Sequence, residues 1–84
     1  MTEADVESAV RNFLAAYHPN GARGMAKLDT THNLWREVSS LSMLELVSYV
    51  ETKFGVAVRP IDFAPQNFSS LAAIARFVVT RSTP

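Results

Sequence analysis

Apolar residues fall into three helical stripes, separated by stretches that keep no period. Val6, Ala9, Val10, Phe13, Leu14 and Tyr17 recur at i, i+3, i+4, i+7, i+8 and i+11, which is one face of an α-helix. Thr2 with acidic Glu3 and Asp5 behind it suits a capped helix start, where the dipole favours negative charge. The pattern predicts a helix over 3–17. It stops there because Pro19 disfavours helical geometry at His18 and Asn20-Gly21 is a turn pair. A second stripe, Met43, Leu46, Val47, Val50 and Phe54, predicts a helix over 40–54 with Ser39 as N-cap and Gly55 as C-cap. Leu71, Ile74, Ala75 and Val78 predict a last helix over 70–81. Ser69 or Ser70 caps it, and Arg76 and Arg81 lie toward its negative end. Residues 82–84 are expected to fray.

The intervening stretches read differently. From 18 to 38, Gly21, Gly24, Asp29, Thr30, Thr31 and Asn33 favour a long loop, pinned to the core by Leu28, Leu34 and Trp35. Val56-Ala57-Val58 has no second strand to pair with and reads as an extended connector. Residues 60–68 hold one short helix, within 61–68, with Pro65 near its start and Phe63 and Phe68 as core plugs. The expected fold is all-α: one domain over 1–84, three longer helices and one short helix in a small four-helix, up-down bundle with a long first loop.

The middle helix is more apolar than one core requires. Leu41 and Leu44, with Ser48, form a second stripe apart from the core positions, as a surface that meets a partner would. At its start Ser40 stands in the first turn, at the positive end of the helix dipole, where an attached phosphate would be stabilised.

Composition narrows the function classes. The 84 residues include no cysteine, so no disulfide assists the fold. Eight basic and eight acidic side chains balance, and no basic cluster is dense enough to hold a nucleic-acid backbone. The apolar runs are too short to span a bilayer. The acidic start lacks the order of a secretory signal, so a cytoplasmic protein is expected. Ser40, His32 and Asp29 could be drawn as a hydrolase triad, but no Gly-x-Ser-x-Gly elbow and no sheet accompany them. His18 and His32 lack partners at metal-ligand spacing and read as solvated loop side chains. Glu45 and Glu51, six apart on the helix, lie on different sides and make no acid–base pair.

Ser40-Leu41, then Glu45-Leu46-Val47, Glu51 and Phe54-Gly55-Val56, resemble the second helix of acyl carrier proteins and peptidyl carrier proteins. Asp62-Phe63-Ala64-Pro65-Gln66-Asn67-Phe68 and Ser70-Leu71-Ala72-Ala73-Ile74-Ala75 resemble that family's third and fourth helices. The resemblance covers roughly the C-terminal three-fifths of the chain. Ser39 stands where the family usually has aspartate, and Leu34-Trp35-Arg36-Glu37-Val38 is shorter than the usual lead-in and lacks its glycine. Measured from Trp35, Ser42-Met43 would be the modified pair; measured from Glu45, Phe54 and Gly55, it is Ser40-Leu41. The helix side is preferred, because a continuous helix fixes spacing and a loop absorbs deletions.

The resemblance implies a discrete carrier without catalytic activity of its own. Ser40 would bear a covalent 4'-phosphopantetheine from coenzyme A, with Ser39 as the cap beside it. The arm's thiol would hold an acyl or aminoacyl thioester for fatty acid, polyketide or non-ribosomal peptide assembly. Implied partners are a phosphopantetheinyl transferase, a cargo-loading enzyme (an adenylating enzyme or acyltransferase) and downstream synthase or modifying enzymes. They would meet a monomer through Leu41, Leu44, Glu45 and Ser48. The alternative is a helical interaction module of the same fold that never carries an arm.

Overall fold

In the computed structural model, which describes residues 1–82, Thr2 opens the first helix, α1 (Glu3–Leu14), with a reciprocal cap. The Asp5 N–H donates to Thr2 Oγ1 at 3.1 Å, and the Thr2 N–H donates to Asp5 Oδ2 at 3.0 Å. The helix ends at Leu14, short of the expected Tyr17. Beyond it the Tyr17 N–H bonds the Leu14 carbonyl, three residues back, at 2.9 Å, so the chain tightens out of the α-helix before Pro19 is reached. Tyr17 is exposed, its ring against Phe13 rather than in the core.

The stretch read as an uninterrupted loop over 18–38 contains a helix, α2 (Gly21–Ala26), and a 3₁₀ turn at Leu34–Arg36. Six residues with two glycines show no period and have little intrinsic helicity. Tertiary contacts supply what the sequence lacks. Met25 is fully buried, and the Arg11 guanidinium, reaching across from α1, donates to the carbonyls of Met25 and Leu28. The 3₁₀ turn is tied to the far end of the chain: the Leu34 N–H donates to Ser69 O at 2.7 Å and Trp35 Nε1 to Phe68 O at 3.1 Å. Leu34 is buried and Leu28 and Trp35 half-buried, so the expected pegs do pin this segment.

The middle helix, α3 (Ser40–Phe54), closes on Gly55, whose φ of +67° is the left-handed cap that glycine adopts without a Cβ penalty. An extended connector follows, its Val58 N–H held by Glu51 Oε2 at 2.9 Å, then a 3₁₀ turn at Pro60–Asp62 and the short helix α4 (Pro65–Phe68). The last helix, α5 (Leu71–Ser82), starts where Ser70 Oγ accepts the Ala73 N–H at 3.1 Å. Of the two candidate caps, Ser70 is therefore the one used, while the Ser69 carbonyl serves Leu34. Ser82, expected to fray, is instead the last residue of α5, its hydroxyl donating to Val79 O at 3.1 Å; Thr83 and Pro84, expected to fray with it, lie outside the described residues. The bundle thus has three longer helices and two short ones, α2 adding to the expected four, and no strand among the described residues.

The core forms where the stripes meet. Val6, Val10 and Leu14 of α1, Met43, Leu46 and Val50 of α3, and Leu71, Ile74, Ala75 and Val78 of α5 are fully buried around Phe68. Val47 and Phe54, read as core, are half-buried at its edge.

One polar cluster locks the C-terminal half. The buried Asp62 carboxylate takes a two-pronged grip from Arg81, Nη1 to Oδ2 and Nη2 to Oδ1, both at 3.0 Å. Arg59 adds its backbone N–H at 2.9 Å and its guanidinium at 3.1 and 3.3 Å. Arg81, then Arg59, hold the Asp62 carboxyl far below the ordinary aspartate range. A depressed carboxyl contributes stability that is present above its unfolded value, about 3.9, and is lost as the pH falls toward its folded value. Urea melts should therefore show stability falling below about pH 4. Asp62→Asn should be less stable at neutral pH, and its deficit should shrink in acid; a deficit unchanged with pH would remove Asp62 from this role.

Candidate functional site

The start of α3 is built around three serines. Ser39 is extended (φ −73°, ψ 163°) and its Oγ accepts the Ser42 N–H at 3.1 Å, which makes it the N-cap. The Ser39 and Ser42 hydroxyls also meet, Oγ to Oγ, at 3.1 Å. Ser42 is thereby turned inward and 8% exposed. Ser40 is exposed, and its side chain makes no hydrogen bond among those of the described residues. No acidic side chain stands in the first turn of α3, so its positive end is not neutralised from within the helix.

The two stripes of α3 separate as the spacing requires. Met43, Leu46 and Val50 have no exposed surface, whereas Leu41 is 70% and Leu44 53% exposed, and Glu45 and Ser48 are exposed beside them. Leu44 and Val47 form one wall of an apolar groove of about 310 Å³, completed by Val58, Arg59, Pro60 and Phe63. Ile61, in the turn that carries Pro60, is 77% exposed. Glu51 is occupied with the connector, so of the two α3 glutamates only Glu45 projects from this face.

The histidines do not behave as solvated loop residues. Glu37, two residues ahead of Ser39, bridges both: Oε1 lies 2.8 Å from His18 Nε2 and Oε2 2.7 Å from His32 Nε2. His18 keeps only 6% of its side chain exposed, and its Nδ1 accepts the Asn20 N–H at 3.0 Å. The ring lies on Gly24, where a Cβ would come within 2.4 Å of His18 Cε1. Hydrogen bonds from His18 and then His32 hold the Glu37 carboxyl below its ordinary range. Nothing in the sequence announces this bridge, whose partners are separated by 19 and 5 residues. A carboxylate that follows two otherwise unexplained histidines is the only signal, and it has no characteristic spacing.

This arrangement also disposes of the triad. The His32 ring is held through its Nε2 by Glu37, and among the described residues neither the Asp29 carboxylate nor the Ser40 hydroxyl is hydrogen-bonded to it. Among the described residues no group of three histidine, cysteine, aspartate or glutamate side chains could hold a metal ion. No described helix is long and apolar enough to cross a membrane. No protein-family model matches the sequence, and no curated protein matches it.

Proposed function

We propose that the protein is an acyl or aminoacyl carrier, with a 4'-phosphopantetheine arm on Ser40. The observation that carries this reading is the exposed Ser40 hydroxyl in the first turn of a 15-residue helix, next to a stripe of exposed leucines. A phosphodiester there would sit at the positive end of α3, with no acidic neighbour in the first turn to repel it. The transferase directs the Ser40 hydroxyl onto the pantetheine-side phosphate of coenzyme A. The P–O bond to the nucleotide half breaks, and that half departs with its phosphate. The arm's thiol then holds cargo as a thioester. Separate enzymes load and process it, while the chain supplies no catalytic group of its own.

Partners dock on Leu41 and Leu44, with Glu45 and Ser48 at the border. Such interfaces are small and weak enough to exchange, while the tether keeps the cargo at high effective concentration. The carrier acts as a cytoplasmic monomer in fatty acid, polyketide or non-ribosomal peptide assembly. The test is intact mass after incubation with coenzyme A and a broad-specificity phosphopantetheinyl transferase: one arm's mass is expected on the native chain. No gain favours the second reading, an unmodified interaction module using the same leucines. Ser39 in the position where the family usually has aspartate is the observation on that reading's side.

A further inference from the structure

We infer that Glu37 is a positioning residue for Ser40: clasped between His18 and His32, it fixes the course on which the chain runs into α3 and so aims the Ser40 hydroxyl. Its consequence for loading rests on the carrier reading above; the clasp itself does not.

The Leu34–Arg36 turn is moored on one side only, by Leu34 to Ser69 and Trp35 to Phe68. The N–H groups of Glu37 and Val38 both fold back onto Leu34 O, at 2.9 and 3.2 Å, and so add no second anchor. The Glu37 side chain does, joining the segment to the chain beyond α1 through His18 and to the loop through His32. Val38 is buried, and Ser39 follows as the cap. The segment is thus moored from both sides two residues before the helix begins.

The protons of the clasp are set by geometry. An ionised carboxylate only accepts, so both Nε2 atoms carry hydrogen. His18 has no alternative, because its Nδ1 accepts the Asn20 N–H. His32 makes no such bond through Nδ1 among those of the described residues and can exchange tautomers.

Glu37→Gln and Glu37→Ala on the full chain test this. The glutamine oxygen can accept from His18 Nε2–H, while its amide group donates to His32. The imidazole ¹⁵N spectrum should then show His32, and only His32, switching from the Nε2–H to the Nδ1–H form. With that bridge kept, loading of Ser40 should stay within about threefold of the native kcat/KM. Glu37→Ala removes both bonds. Amide exchange at Ser42 and Met43, whose N–H groups bond Ser39 Oγ and Ser39 O, should accelerate while Val10 and Ile74 stay protected, and loading should fall about tenfold. Gly24→Ala, which displaces the His18 ring, should reproduce the faster exchange without touching Glu37. Unchanged exchange at Ser42 and Met43 in both Glu37→Ala and Gly24→Ala overturns the inference, as does a glutamine variant in which His18 changes tautomer. Should Glu37→Ala not fold, the tautomer pattern of the glutamine variant and the exchange in Gly24→Ala decide alone. A native chain that takes no arm, yet shows these tautomers and exchange rates, would sink the carrier reading and leave the clasp standing.

Discussion

Ser40→Ala should abolish attachment of the arm completely, whereas Ser42→Ala should leave it intact. The two serines are two residues apart, and spacing measured from the loop side points to the second. Burial separates them. Ser42 is turned against the Ser39 hydroxyl and shows 8% of its surface, so its oxygen cannot reach an enzyme-bound coenzyme A without the first turn of α3 unwinding. Ser40 presents its oxygen with no intramolecular competitor among the described residues. Removing the Ser42 hydroxyl forfeits one hydrogen bond, roughly 0.5–1.5 kcal/mol, but spares the cap, since Ser39 Oγ is held by the Ser42 backbone N–H. Intact mass after exhaustive loading decides the matter. Arm mass lost only in the Ser42 variant would move the site and discard the helix-side spacing.

The two leucines on opposite faces of α3 should divide stability from recognition. Leu46 is fully buried at the centre of the core, and Leu46→Ala should cost roughly 2–4 kcal/mol, part transfer free energy and part cavity. Leu44 is half exposed on the rim of the groove with Val58, Pro60 and Phe63, so Leu44→Ala should change folding stability by less than about 0.5 kcal/mol. In loading or binding by a partner enzyme the order reverses, with Leu44→Ala losing about 1–2 kcal/mol. Glu45 is the only α3 carboxylate projecting beside these leucines, which leaves little long-range charge to steer encounters. Loading rates should accordingly vary little with salt. Urea melts of both variants and loading rates across a salt series test the assignment. A Leu44→Ala variant that unfolds, or loading that collapses as salt rises, would show that this face is misread.

What the sequence determined by itself is whatever is local and periodic. The α1, α3 and α5 stripes, the Ser39 cap, the Gly55 stop and the division of α3 into Leu46 and Leu44 faces all follow from 3.6-residue spacing and end chemistry. Such signals lie within one or two turns of the residues they govern, so the chain alone carries them. The tertiary structure decided the rest. Helix α2 exists because Arg11 holds the carbonyl of Met25 within it and that of Leu28 just beyond it, and because Met25 is buried in the core, which no property of a glycine-rich hexapeptide reveals. Asp62 is locked by Arg81 across 19 residues, and Glu37 finds His18 across another 19. These polar contacts need two side chains that are far apart in the chain and meet only in the folded structure, and a single charged residue has no period from which its partner could be read.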